Sequence, residues 1–337
     1  MDYELFVLST CTWENFNYCA CSVHVALSAL QRRKVRQIAA PGPPGWGLGE
    51  GPITLPCKTF HIMETASTFH GLHGTKEETG QVPQDCDIMF TDYRSRMTSE
   101  GESHLEARRP IVSLLRPKDL VSIGNWNVRT MYAIGKAAQI AKEMQNYNLD
   151  ILGISECRWT ESGKLKLTSG ESVIYSGRED GMHRSGVAIM MSKYAEASLM
   201  EWQPINDRII MARFYSKYIK LTIIHTYAPT LDAEDEDKEL FYEQLQSVVE
   251  KVNQHDLLLI TKDMNAKVGS SNHNRERVMG KHGTGIMNSN GERLIDFCEM
   301  NNLVITGTIF PHKDIHKNTW TSPDGITHNQ IDHILVN

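Results

Sequence analysis

Apolar and polar positions keep regular time from about Leu120 onward and hardly at all before it. Leu257–Ile260 is a short unbroken apolar run, as is Ile151–Ile154, and runs of this length read as strands buried on both faces. Val121–Arg129, Val173–Tyr175, Val187–Met191 and Ile209–Phe214 read as further strands. In Ile219–His225 the apolar Ile219, Leu221 and Ile223 alternate with Lys220 and Thr222, a period of two. A helical period appears where Ile134, Ala137, Ala138, Ala141 and Met144 fall on one face, and again over 233–252, whose stripe is Phe241, Leu245, Val248 and Val252. Ser289-Asn-Gly-Glu292 predicts a capping box opening a helix through Met300. Leu303–Thr306, Thr319–Thr321 and Gln330–Val336 close the series as strands. Helices interleave with strands, but many strands follow one another directly. The pattern therefore predicts an α+β fold with antiparallel pairs, not a pure βαβ wind.

Residues 1–115 lack such a period, and a poorly ordered N-terminal region is expected there, with a short helix near Val23–Arg33. Pro41–Pro52 is rich in Pro and Gly and reads as punctuation. The basic group Arg32, Arg33, Lys34 and Arg36 fits a solvated helix end, or a phosphate or nuclear-localisation patch. At 337 residues the chain has room for a sizeable core. Its net charge of -6 is spread evenly on either side of residue 110, so any attraction to nucleic acid must come from a local groove. Seven cysteines without zinc-site spacing imply free thiols in a reducing compartment. With no signal peptide or membrane-spanning run in view, an intracellular location, nuclear or cytoplasmic, is expected.

The candidate chemistry lies where apolar runs stop. The run at Leu257 ends in Lys262, Asp263 and Asn265, a carboxylate and a carboxamide two residues apart, placed on one face if the strand continues. This pair fits an Asx turn closing a strand, and it equally fits a site that activates water beside a phosphate. Asn127, Glu156 and Tyr227 also stand at strand ends, and Asp332 lies in the last strand. Hard oxygen donors of this kind suit Mg²⁺ or Mn²⁺ rather than zinc. His312 and His316 share a helical metal-pair spacing, but Pro311 and Asp314 make their segment a loop.

Five stretches then carry a resemblance: Asn125-Trp-Asn-Val-Arg-Thr130, Leu152-Gly-Ile-Ser-Glu-Cys-Arg-Trp159, Tyr227-Ala-Pro-Thr230, Lys262-Asp-Met-Asn-Ala-Lys-Val-Gly269 and Gln330-Ile-Asp-His-Ile-Leu-Val336. They are similar to motifs of the endonuclease/exonuclease/phosphatase superfamily, in the same order. Gly285–Leu294, Gly307–Pro311 and Thr319–Gly325 narrow the likeness to the endonuclease domains of RTE-like non-LTR (LINE-type) retrotransposons. The resemblance implies a four-layer αββα sandwich, two mixed β-sheets flanked by helices, over residues 120–337. It implies Mg²⁺-dependent phosphodiester hydrolysis, with DNA as partner and nicking as the usual reaction. By motif, Glu156 holds the metal with Asn127 beside it. Asp263 orients or deprotonates water, Asn265 and Tyr227 engage the phosphate, and Asp332 orients a histidine. Arg129 and Trp320 join the substrate-binding set.

The sequence departs from the superfamily in three places. Lys262 replaces the usual Gly before Asp263, and its cation is expected to lower the Asp263 pKa. The chain stops at Asn337, ahead of the closing Ser-Asp-His motif, so a C-terminally truncated fold is expected. His333 does not replace the missing histidine, since it neighbours Asp332 and points to the other face. His225 and Thr226 precede Tyr227 where relatives more often have Gln and a small residue, a neutral exchange. Alongside the nicking reading stand a retroelement-derived binder that cuts nothing, a phosphatase of the same superfamily, and an interaction protein built on the N-terminal segment.

Overall fold

Each of the apolar runs buries itself by pairing side by side with others. The computed structural model describes residues 3–12, 20–29, 112–116, 119–322 and 324–337, and for 3–29, Lys262 and Ile315 the backbone alone. In chain order these residues form β1 (Tyr3–Thr12), β2 (Ala20–Ala29), β3 (Leu120–Asn127), α1 (Lys136–Asn146), β4 (Ile151–Ser155), β5 (Ser162–Lys166), β6 (Ser172–Ser176), β7 (Val187–Met191), α2 (Lys193–Glu196), β8 (Leu199–Asn206), β9 (Ile209–Phe214) and β10 (Leu221–Tyr227). They continue with α3 (Asp235–Val249), β11 (Leu257–Asp263), α4 (Ser289–Asn301), β12 (Val304–Ile305), β13 (Trp320–Thr321), β14 (His328–Asn329) and β15 (Asp332–Val336). One sheet has the order β1-β2-β3-β4-β7-β6-β5, the second β12-β15-β11-β10-β9-β8, and β13 and β14 form a separate hairpin.

Both large sheets are mixed, as the resemblance implied. Among the described strands only β3 with β4 and β10 with β11 pair in parallel, and each pair is joined by a crossover helix, α1 and α3 respectively. The first turn of α3 carries Asp235, Glu236 and Asp237, which complement the positive end of the helix dipole.

Strand alternation divides the apolar residues into layers. Val121, Ile123, Ile151 and Ile189 of one sheet meet Ile210, Phe214, Leu221, Ile223, Leu257 and Leu259 of the other between the sheets. Leu152, Ile154 and Met190 face outward to Ile140, Ala141 and Met144 of α1. Ile224, Leu258 and Ile260 face outward to Phe241 and Leu245 of α3 and to Leu294 and Phe297 of α4. Burying each such side chain contributes about 1.5–3 kcal/mol.

Towards the C-terminal ends of the parallel strands the inter-sheet core turns polar. Ser155, His225 and Thr261 are fully buried there. The His225 ring nitrogens hydrogen-bond Ser155 Oγ at 3.2 Å and Thr261 Oγ1 at 3.0 Å, one donating and one accepting in the neutral imidazole. A Cβ at position 153 would overlap the His225 ring, so Gly153 is what lets the two sheets close on it. The ring thus laces the two sheets together. Burial pushes its pKa down to about 4.

Several sequence expectations are corrected. The backbone over Ala20–Ala29 is a strand paired to β1 and β3, not the helix expected at Val23–Arg33. Cys21–Leu27 carries a period of two, and the open edge of β3 supplies the partner that a local reading lacks. The other readings within 30–111, including the basic group, lie outside the described residues. The N-cap of α4 is Asn288, whose side chain accepts from Gly291 N, so Ser289 does not open a capping box. Strands β5 and β8 had no reading in the sequence. Among the described residues no helix is long and apolar enough to cross a membrane.

Two outcomes follow for stability. The unfolded imidazole takes a proton near pH 6.5 and the folded His225 only near 4. The His225 contribution to stability is thus full above about pH 6.5 and falls as pH drops towards 4, by up to roughly 3 kcal/mol, while Asp263, whose folded pKa is raised to about 6, opposes it over the same range. Urea unfolding of the unaltered chain and of His225→Gln across that range tests this, with the stability of the unaltered chain relative to the variant expected to fall as pH drops. Gly153→Ala should cost about 1–3 kcal/mol, read in the same assay, through overpacking against the ring.

Candidate functional site

The two parallel pairs end at a common rim. Asn127 is the last residue of β3, Tyr227 of β10 and Asp263 of β11, while Glu156 follows β4 directly. β15 runs the other way and begins there, so Asp332 stands opposite Asp263 in the register. The rim is also where the backbone is strained: Arg129, Glu156, Arg158 and Asn265 have positive φ of 57°, 55°, 58° and 49°. Asn265 is therefore past the end of its strand, and the alternation expected to align it with Asp263 does not apply.

These residues line one cleft of about 460 Å³. Asn127, Arg129, Glu156, Tyr227, Asp263, Asn265, Trp320 and Asp332 all border it. So do Leu231, Asp232, Lys267 and Asn288, which sequence reasoning did not single out, and Thr319, Thr321 and Asn329 around the β13–β14 hairpin. Lys267 lay within a quoted motif, and so did Arg158, which pairs with Glu156 Oε2 at 3.2 Å. Arg208 had no local signal. It comes from the β8–β9 turn, places its guanidinium 5.2 Å from the Tyr227 ring centroid and donates to Tyr227 O.

The two central carboxylates share one donor. Asn127 Nδ2 donates to Glu156 Oε1 at 2.9 Å and to Asp263 Oδ2 at 2.8 Å, while its Oδ1 accepts from Arg129 N at 3.0 Å. Tyr227 OH also donates to Glu156 Oε1, at 3.1 Å. Asn265 Nδ2 donates to Ala228 O at 3.1 Å, tying the loop after β11 to the loop after β10.

Burial, with repulsion from Glu156, pushes the Asp263 pKa up to about 6, although hydrogen bonds from Asn127 and Asn265 oppose it. This is the opposite of the lowering expected from Lys262: desolvation of a carboxyl that is 5% exposed is the largest influence on it. Burial and the two carboxylates push the Tyr227 phenol well above its ordinary range, so it stays a proton donor.

The donor set fits a hard cation. Glu156 is ionisable, opens onto the cleft and stands beside an amide and a phenol, all with oxygen donors. Among the described residues there is no group of three or more His, Cys, Asp or Glu that could hold a metal ion. His333 faces away, with Nε2 bonded to Ala266 O at 2.9 Å.

Two facing mixed sheets, flanked by helices and carrying a carboxylate–amide rim at the ends of their parallel strands, define the class. The chain belongs to the Endonuclease/Exonuclease/phosphatase family, whose sequence profile matches residues 124–337. It is 40% identical over 263 residues to craniofacial development protein 2 of Bos taurus, covering 78% of this chain and 44% of that protein. It is likewise 40% identical over 236 residues to the protein of that name from Tragulus javanicus, covering 70% of this chain and 40% of that one. The chain thus spans less than half the length of these relatives. Among solved structures, the endonuclease domain of TRAS1, a telomere-specific non-LTR retrotransposon, aligns with a TM-score of 0.42 and 16% identity, over 63% of this chain and 82% of that one.

The shared amide makes a prediction of its own. Asn127→Leu removes the donor that the two carboxylates share and should lower stability by about 1–3 kcal/mol in cation-free buffer. Adding Mg²⁺ should raise the melting temperature of the unaltered chain, and Glu156→Gln should abolish that rise; thermal unfolding with and without chelator reads both.

Proposed function

We propose that the chain hydrolyses phosphodiesters with the help of Mg²⁺, or Mn²⁺, and nicks DNA in the manner of a retrotransposon-type endonuclease. The observation that carries the reading is the meeting of Glu156 and Asp263, from different sheets, on the Asn127 amide at the floor of an open cleft. A divalent cation held by Glu156, with Asn127 beside it, would neutralise charge on the phosphate and leaving oxygens.

The remaining chemistry belongs to the chain itself. Asp263, with its pKa raised to about 6, is ionised at neutral pH yet basic enough to orient and deprotonate a water. Asn265 has a second amide proton beyond the one given to Ala228 O, and in this reading it holds a phosphate oxygen. Tyr227 keeps its proton and donates to the phosphate or leaving oxygen, steadied by Arg208 stacked on its ring. Trp320 and Arg129 on the cleft wall supply a stacking face and a cation for the nucleic acid. Asp332 stands on the same rim, where the superfamily places an aspartate that orients a histidine. The net charge of -6 makes these local cations the means by which a polyanion is received.

The test is nicking of a supercoiled plasmid with Mg²⁺, with and without chelator. Cleavage that needs Mg²⁺ and falls by at least ~10²-fold in Glu156→Ala and Asp263→Ala is expected, the scale of a lost charge-stabilising group. Cleavage that persists unchanged in both variants rejects the site. A salt-dependent gel shift without any cleavage identifies a binder that does not cut.

A further inference from the structure

We infer that Lys267 is the cation that holds a backbone phosphate of the nucleic acid in this cleft, an assignment that rests on the phosphodiester reading above. Lys267 sits in the loop after β11 and lines the cleft together with Asp263 and Asn265. Its backbone is held on both sides. Lys267 N donates to Asn288 Oδ1 at 3.0 Å, and Asn288 N donates to Lys267 O at 3.0 Å. Gly291 packs so tightly on Lys267 O that a Cβ there would overlap it. The residue is thus anchored to the first turn of α4, and its side chain starts from a fixed point.

The side chain is half-buried, and among the described residues no carboxylate pairs with its ammonium. Lys238 shows the contrast: it is buried too, but its Nζ donates to Leu231 O and pairs with Asp235. An ammonium on the wall of this cleft with no carboxylate paired to it leaves its charge for an anion entering there. The cleft also carries Glu156, Asp232, Asp263 and Asp332, an acidic excess that a phosphate must overcome. A lysine supplies the required charge as a point donor, without the fixed geometry of a guanidinium.

The experiment measures binding of a short DNA duplex to the full chain by fluorescence anisotropy, in chelator, between about 50 and 200 mM salt. Lys267→Gln should bind roughly 10-fold more weakly, with a log–log salt slope shallower by about 0.9, one released counterion. Lys267→Arg should keep the slope. An unchanged slope and affinity in Lys267→Gln overturns the assignment, as does an equal loss in Lys267→Arg with unaltered thermal unfolding. A second arm separates this failure from that of the phosphodiester reading. Inorganic phosphate should raise the melting temperature of the unaltered chain more than that of Lys267→Gln. If duplex binding is absent but this difference remains, the anion site stands and the nucleic-acid reading falls. If phosphate shifts both proteins equally, the Lys267 assignment falls.

Discussion

Two carboxylates of like charge, brought from two different sheets, meet at the rim with one amide between them. Left to themselves, Glu156 and Asp263 would repel, and burial would penalise the charge on Asp263 further. Asn127 resolves this by giving one proton to each. Because Asn127 and Glu156 belong to one sheet and Asp263 to the other, the same contact fixes how the sheets are set against each other at this edge. The acidic site and the closure of the sandwich are thus one structural fact.

The layers beneath explain why the rim can hold this arrangement. The inter-sheet core is apolar through Ile151, Ile223 and Leu259, then passes through the hydrogen-bonded band of Ser155, His225 and Thr261 before reaching the cleft. This gradient leads from the apolar core to the charged groups at the ends of the fully buried strands. Strain gathers at the same edge: the left-handed backbone of Glu156 and Asn265 aims side chains that a continuing strand would have sent elsewhere. The packing of α4 and the tie from Asn265 to Ala228 hold the loops that carry this strain.

The fold also reaches beyond the part that matches the family. The family match begins at residue 124, inside β3, yet the sheet continues through β2 to β1. An unpaired β3 would present a row of open backbone donors and acceptors, and the β1–β2 hairpin covers that edge.

What the sequence determined by itself was the identity of the central elements and of the chemical groups at their ends. Short unbroken apolar runs such as Leu257–Ile260 and Ile151–Ile154 have only one comfortable place, and Asn127, Glu156, Tyr227 and Asp263 stood out as polar groups ending such strands. Elements that depend on their partners were hidden. β5 is half-exposed with little apolar content, β8 is largely exposed and mixes apolar with polar residues without a clear period, and β2 became a strand through the edge it pairs with. Only the tertiary structure decided that Asn127 bridges both carboxylates, that Asp263 is desolvated enough for its pKa to rise, and that Arg208 and Lys267 belong to the same neighbourhood. The physical reason is that strand chemistry is written locally in side-chain period. Burial, electrostatics and convergence are instead set by residues far apart in the chain, which only packing brings within hydrogen-bonding distance.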